Sequence, residues 1–221
     1  MQNSLRQLIN RIRGGTPLQR HYDIINRDTP LFPVDPETTY SFVEDPPQNA
    51  TTTTINELER LQQMPQHLDE QSMTKANEKY IDILFDCVHH HHNHNHDPTR
   101  IDELKADVEQ IVKQADTFIV AAKYHYNRPR PRQLAAFYDI ELTPLYNPSC
   151  PSYPSGHTAK TMVAHLALER LTDDFSYDLD KAKKLVADVA YSRLQAKVHF
   201  PSDVRAGILF ARRLFTHLTC K

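Results

Sequence analysis

Three short segments in the second half of the chain contain the residue types needed to cleave a phosphate ester. They are residues 123–131 (KYHYNRPRP), 154–157 (PSGH) and 192–203 (SRLQAKVHFPSD). Cations in these segments could hold a tetrahedral dianion, one histidine could attack phosphorus, and the other could protonate the leaving oxygen. A carboxylate could orient the attacking histidine. The three segments therefore predict a single phosphate-handling site.

The spacing of these residues resembles the signature of the type 2 phosphatidic acid phosphatase (PAP2) superfamily. That signature reads K-x6-RP, then PSGH, then S-R-x5-H-x3-D, and the chain matches it in order with no substitution. The superfamily includes class A bacterial acid phosphatases, lipid phosphatases and vanadium haloperoxidases. The resemblance extends over roughly residues 100–215, and the YPSGHT sequence of residues 153–158 is most similar to the class A acid phosphatases.

The resemblance implies a role for each matching residue. His199 would be the nucleophile that forms a phosphohistidine, His157 the general acid, and Asp203 the carboxylate that orients His199. The phosphate-binding residues would be Lys123, Arg130, Ser155, Gly156 and Arg193. Arg128 also precedes a proline, but the spacing favours Arg130 and leaves Arg128 as a cation at the rim.

Local sequence supports these assignments. Ser155 directly precedes an apolar-periodic helix and is a natural N-cap, and the free N–H groups of a first helical turn attract anions. Gly156 is one of only four glycines, which suggests a close approach of backbone to ligand. Asp203 falls in the first turn of another helix, from which it can reach back four residues to His199.

Periodicity predicts helices as the elements that position these residues. A helix beginning at Asp97-Pro98 carries an apolar stripe and delivers Lys123 near its end, while Pro129 and Pro131 prevent its continuation. Further helices are predicted over about 157–171, 179–197 and 202–218. The predicted fold class is therefore all-α, a single-domain helical bundle, and the resemblance implies the PAP2/vanadium haloperoxidase type.

The chain divides into an N-terminal region, residues 1–50, and a helical phosphatase domain, residues 51–221. The first region combines an amphipathic helix over 4–13 with a proline-rich strap. The helix could lie on a membrane surface or direct the chain to an organelle, but packing on the body or on a second subunit is favoured. Thr54 and Glu57 predict a capping box for a helix ending at Met64, and another helix is predicted over 74–88.

Six of the thirteen histidines fall within residues 89–96. Such a tract could chelate Zn, Ni or Cu, but no cysteine or carboxylate pattern fixes a geometry. We therefore predict a solvated loop and no metal site.

Composition bears on three questions: whether the protein binds nucleic acid, in which compartment it works and whether it spans a membrane. The net charge of −2 gives no reason to expect nucleic acid as a partner. The three cysteines form no CxxC pair, which indicates a reducing compartment and hence the cytoplasm. No apolar stretch reaches the roughly 20 residues of a membrane span, and no secretory signal is recognisable.

The leading hypothesis is a soluble, metal-independent phosphatase that needs no cofactor and acts on a small phosphomonoester or anhydride. Vanadate would then be an inhibitor, whereas in the alternative, a vanadate-dependent haloperoxidase, it would be the cofactor. A lipid phosphate phosphatase at a membrane surface and a non-enzymatic phosphate-binding scaffold are further alternatives. A homodimer is compatible with each.

Overall fold

Helices dominate the structure, a computed structural model that describes residues 2–66, 79–90, 98–172 and 175–219. Short 3₁₀ turns cover Thr38–Phe42 and Ala136–Tyr138, and a two-stranded antiparallel ribbon joins β1 (Val88–His90) to β2 (Phe175–Tyr177). The α-helices are α1 (Gln2–Asn10), α2 (Gln19–Ile25), α3 (Thr52–Gln63), α4 (Tyr80–Phe85), α5 (Pro98–Tyr126), α6 (Pro131–Ala135), α7 (Gly156–Leu171), α8 (Leu179–Gln195) and α9 (Pro201–Phe215). The predicted all-α class is confirmed.

Helix α7 lies at the centre of the bundle and packs against α5, α8 and α9. It is buried on nearly all sides, as expected for a helix whose apolar residues are not confined to one stripe. Small side chains alternate with larger ones along it, so neighbouring helices approach closely. Its buried residues are Gly156, Thr158, Ala159, Thr161, Met162, Val163, Ala164, His165, Ala167 and Leu168.

The closest helix contact occurs where α9 crosses the start of α7. A Cβ atom added to Gly207 on α9 would lie 2.7 Å from the carbonyl oxygen of Ser155. Because no side chain fits there, α9 and the 154–157 turn are held in direct backbone contact. The Ser155 N–H also donates to the Asp203 carbonyl oxygen at 2.9 Å, which fixes two of the predicted site segments to each other.

The N-terminal helix α1 packs on the body of the protein. Ile9 is buried in a second apolar cluster with Leu58, Leu61 and Phe200, and the Asn49 amide donates to the Ile9 carbonyl oxygen at 2.9 Å. The favoured interpretation of this segment left two options, packing on the body or on a second subunit, and these contacts agree with the first. Leu5 and Leu8 on the same helix remain about half exposed, at 51% and 56%.

Local details differ from the sequence expectations. Thr51, not Thr54, is the N-cap of α3, because its hydroxyl accepts from the Thr54 N–H at 3.4 Å. The predicted helix over 74–88 is described only from residue 79 onward, where α4 ends at Phe85 and the chain enters β1. Val88–His90 is thus a strand, and residues 91–96 of the histidine tract lie outside the described residues.

Among the helices that the structure describes, none combines the length and apolar character of a membrane span.

Candidate active site

All the predicted site residues meet at one end of the helical core. Lys123 comes from the last turn of α5, Arg193 from the last turn of α8, and the PSGH turn from the start of α7. His199 lies in the turn before α9, which carries Asp203. Apart from His157, which is half-buried, every member of the set is buried.

Asn127 turns the chain out of α5 toward the site. Its φ of 46° is left-handed, a conformation that Asn tolerates better than most residues. Its side-chain oxygen accepts from the Gly15 N–H at 3.0 Å, and its carbonyl accepts from the Gly14 N–H at 2.9 Å. The following prolines prevent further helix until α6 begins, so Arg130 projects from a short fixed segment.

Lys123 lies directly beneath the PSGH turn. Its ammonium donates to the carbonyl oxygens of Pro154 at 2.7 Å and Pro151 at 3.0 Å. Burial lowers the pKa of Lys123 to about 8, against the opposing effect of nearby Cys150. Lys123 therefore holds the backbone of the PSGH turn in place and puts positive charge close to it.

Gly156 is required by this arrangement. A Cβ atom at this position would lie 3.2 Å from Cε of Lys123, a tight contact inside a packed interior. The lysine side chain behind the turn is therefore one reason for a glycine here, and the close approach of the backbone to a ligand stays a prediction.

Arg130 is held against His199 by two backbone carbonyls. Its Nε donates to the Cys150 carbonyl at 2.9 Å, and its Nη1 donates to the Val198 carbonyl at 2.7 Å. The same Nη1 lies 3.0 Å from Nε2 of His199. The same Nη1 lies 3.4 Å from Nδ1, so the guanidinium lies beside the ring and closer to the nitrogen that does not face Asp203.

Asp203 contacts the other ring nitrogen of His199. Its Oδ2 lies 3.3 Å from Nδ1 of His199 and also accepts from the Phe200 N–H at 2.8 Å. Burial and the Arg130 charge hold the pKa of His199 well below its ordinary value, although Asp203 opposes them. A neutral ring with Nδ1–H facing the carboxylate has the lone pair of Nε2 directed toward the cations.

His157 lies in the first turn of α7 and is half-buried. Burial, reinforced by the charge of Arg193, holds its pKa well below the ordinary value. The charges of Lys160 and His199 lower the pKa of His157 further. Ser155 occupies the N-cap position of α7, but its hydroxyl pairs with the Thr158 hydroxyl at 2.9 Å instead of capping the helix backbone.

Arg193 is completely buried. Its Nη2 donates to the Ser192 hydroxyl at 2.8 Å, and its Nη1 donates to the Tyr146 hydroxyl at 3.2 Å. Burial lowers the pKa of Arg193, with Tyr146 opposing the change, but a guanidinium stays charged at neutral pH. The site therefore combines Lys123, Arg130 and Arg193 around two histidines.

The sequence model of the PAP2 superfamily matches residues 112–220, the part of the chain that builds this site. This match covers 109 of the 221 residues, just under half of the chain. A search of curated proteins found no match. Among solved structures, a bacterial vanadium-dependent iodoperoxidase is similar, with a TM-score of 0.51 and 18% sequence identity over 81% of this chain.

The similar region covers 52% of the iodoperoxidase chain, so this chain spans about half the length of that protein. At this level of identity the likeness shows a shared fold. The predicted PAP2/vanadium haloperoxidase type of helical bundle is confirmed.

Two residues of the site were missed or misplaced by sequence reasoning. Arg128, expected at the rim, is buried, and its Nη1 donates to Oδ1 of Asp203 at 2.6 Å. Its Nη2 pairs at 3.1 Å with Glu57 of α3, which lies ahead of the PAP2 match. Glu57 also accepts from the Ser202 N–H at 2.6 Å, so it caps the helix that carries Asp203. Burial raises the pKa of Asp203, but Arg128 and His199 outweigh this and hold it well below its usual range.

Ser152 and Cys150, just before the PSGH turn, were also missed. The Ser152 hydroxyl donates to Oδ2 of Asp203, and Cys150 Sγ accepts from Nη2 of Arg130 at 3.2 Å. Burial alone would raise the pKa of Cys150, but Lys123 and Arg130 lower it below the ordinary thiol value. Neither residue belongs to the PSGH motif, so only their position just before it could have indicated a role in the site.

The described residues contain no group of three or more His, Cys, Asp or Glu side chains that could hold a metal ion. Three cations and the N-terminus of α7 place positive charge in this site.

Proposed function

We propose that this protein is a soluble phosphatase that hydrolyses small phosphomonoesters or anhydrides through a phosphohistidine, without a metal ion. The observation that carries the proposal is the geometry of His199. One ring nitrogen faces the Asp203 carboxylate at 3.3 Å, and the other lies 3.0 Å from the Arg130 guanidinium. A neutral imidazole in this position can present its Nε2 lone pair to a bound phosphate when the Arg130 guanidinium donates to the phosphate oxygens instead.

The proposed reaction has two steps. In the first, Nε2 of His199 attacks phosphorus, the bond from phosphorus to the leaving oxygen breaks, and His157 donates a proton to that oxygen. In the second, water attacks phosphorus, its proton passes to His157, and the N–P bond breaks to release phosphate. Asp203 remains ionised throughout and stabilises the positive charge that develops on the His199 ring.

Three cations and the α7 N-terminus are suited to the charge of the transferred group. Arg130 and Arg193 can form paired hydrogen bonds to phosphate oxygens, whereas Lys123 contributes charge from behind the turn. Their fixed hydrogen bonds mean that little reorganisation is needed when the phosphoryl group passes through its transition state. Such a cluster can neutralise a phosphate dianion with side chains alone.

Vanadate-dependent haloperoxidase activity is the second candidate, because the fold is shared with an iodoperoxidase. A tetrahedral oxyanion fits the same cations, and His199 Nε2 would then be the ligand to vanadium. Bound vanadate would supply peroxide activation, while the residues of this chain would hold and orient it.

A substrate panel tests the proposal. We expect release of phosphate from p-nitrophenyl phosphate and from members of a panel of nucleotides, sugar phosphates, inositol phosphates and phosphatidic acid. Activity should persist in EDTA and should be inhibited by orthovanadate, which mimics a five-coordinate transition state. His199→Ala should abolish it without unfolding the protein.

Two results would contradict the proposal. Activity that EDTA abolishes and Mg²⁺ restores would refute the metal-independent mechanism. Oxidation of iodide by peroxide with added vanadate, together with no phosphate release, would favour the haloperoxidase. The proposed location is the cytoplasm, in keeping with the unpaired state of Cys87 and Cys150.

A further inference from the structure

A side cavity of about 350 Å³ adjoins the proposed catalytic centre. Its walls come from the loop 144–149, the turn 197–198 and the start of α6, with Gly14 closing one side. The Leu145 N–H donates to the Ala196 carbonyl oxygen at 3.0 Å, so the loop and the turn are fixed to each other. The volume lies at the lower end of the range for small-molecule sites.

The side cavity and the phosphate site share residues. Arg130 lines the cavity and contacts His199 through its Nη1 at 3.0 Å. Tyr146 also lines the cavity, and its hydroxyl accepts from Arg193 at 3.2 Å. A phosphoryl group held by Arg130 and Arg193 would therefore have the remainder of its molecule next to this cavity.

The lining of the side cavity is cationic. It contains Arg130, Arg132 and Lys197 but no carboxylate. Among the described residues, neither Arg132 nor Lys197 forms an ion pair; Arg132 donates to the Asn147 side chain at 2.7 Å. Clustered cations without a carboxylate partner favour an anion in the space between them.

Lys197 has a backbone conformation that is unusual for a lysine. Its φ of 57° is left-handed, a region where Gly or Asn is preferred. The turn is held by hydrogen bonds from the Lys197 N–H to Leu194 at 2.9 Å and from the Val198 N–H to Arg193 at 3.3 Å. A cation is thus kept at a position where the backbone alone would favour a different residue.

We propose that the side cavity binds a second phosphate of the substrate. The preferred substrates would then be small diphosphorylated molecules, in which one phosphate lies at His199 and the other between Arg132 and Lys197. This assignment rests on the proposed phosphatase function and specifies its substrate class.

Kinetics on a matched pair of substrates test the assignment. Propane-1,3-diyl bisphosphate and 1-propyl phosphate share the same leaving-group chemistry and differ in the second phosphate. At constant ionic strength we expect kcat/KM to be about tenfold or more higher for the bisphosphate, the effect of one or two charge-assisted contacts.

Variants locate the source of this preference. The double variant Arg132→Gln/Lys197→Asn removes both charges, and Asn suits the left-handed backbone. We expect it to lose most of the preference while its kcat/KM for propyl phosphate stays within about twofold. Lys197→Arg should retain the preference, and Lys113→Gln, an exposed cation on α5 that does not line the cavity, should leave it unchanged.

Equal kcat/KM for the two substrates in the wild type, or an unchanged preference in the double variant, would overturn the assignment and leave the phosphatase proposal standing. If no ester is hydrolysed, a binding measurement can still test the second phosphate site separately from the phosphatase proposal. Calorimetric titration with pyrophosphate and with phosphate should then show pyrophosphate about tenfold tighter in the wild type alone. Equal affinities would refute the second phosphate site independently of turnover.

Discussion

In the proposed mechanism, two histidines with lowered pKa values must act in opposite protonation states. His199 attacks as the neutral ring, and its low pKa keeps it neutral into the acid range. His157 must be protonated to act as general acid, but its pKa is lowered as well, so the protonated form is lost as pH rises. The residues therefore favour catalysis in acid solution.

We predict that kcat/KM is greatest below pH 6.5, the ordinary histidine pKa, and falls by up to about tenfold per pH unit on the alkaline side. The optimum of kcat should lie at higher pH than that of kcat/KM, because a bound phosphate dianion raises both histidine pKa values. pH–rate profiles measure this, and His157→Asn should remove the alkaline decline. A wild-type kcat/KM that rises through pH 7 would refute the assignment of His157.

The Asp203→Asn variant should show whether Asp203 orients His199 or contributes to phosphate binding. Asn keeps the shape of the side chain, but it loses the charge that stabilises the developing positive charge on His199. We expect kcat to fall by about 100-fold or more, less than the roughly ten-thousand-fold loss for the comparable change in the serine-protease triad, because His199 attacks phosphorus directly.

The affinity of the Asp203→Asn variant for inorganic phosphate, measured by calorimetry, should change little. Loss of that affinity with kcat retained would mean that Asp203 shapes the anion pocket and does not orient His199.

At the scale of elements, helix α3 supports the catalytic turn through one side chain. Glu57 accepts from Ser202 at the start of α9 and pairs with Arg128, which holds Asp203. Because these groups are largely buried, loss of the carboxylate charge weakens several charge-assisted hydrogen bonds together.

We expect Glu57→Gln to lower the free energy of unfolding by about 1–3 kcal/mol, measured by urea denaturation. Glu59→Gln is the matched control, since Glu59 lies on the same helix and is exposed; it should be nearly neutral. Equal stabilities of the two variants would show that the Glu57 contacts contribute little.

The core helices and the motif residues could both be predicted because both depend on local sequence patterns. Motif residues are close in sequence, and each motif falls at a helix end that proline, glycine or apolar periodicity marks. The contact between Glu57 and Ser202 spans 145 residues, and no local pattern reports it. From sequence, Glu57 was instead assigned to a capping box with Thr54, because the three-residue spacing between them is typical of that local motif.

At the scale of the whole molecule, the site joins the ends of α5, α7 and α8 to α9. An anion can bind this site only in the folded protein, because the unfolded chain does not bring these residues together. Binding should therefore stabilise the entire helical core against unfolding. We predict that phosphate at about 100 times its Kd raises Tm by about 5–10 °C for a chain of this size, measured by calorimetry against chloride at equal ionic strength.

Arg193→Gln should remove most of this shift, whatever its own effect on Tm. Lys184→Gln is the control, since Lys184 is an exposed cation on the same helix, and it should keep the full shift. An equal shift in both variants would place the stabilising anion elsewhere on the protein.

The position of Glu57 also limits how residues 112–220, which carry the proposed site, could be transferred to another protein. Arg128 belongs to the PAP2 segment, but one of its two carboxylate partners comes from α3, ahead of residue 112. A chimera that joined residues 112–220 to an unrelated N-terminal region would carry a buried guanidinium with half of its counter-charge missing. Such a chimera would therefore need a replacement for the Glu57 carboxylate.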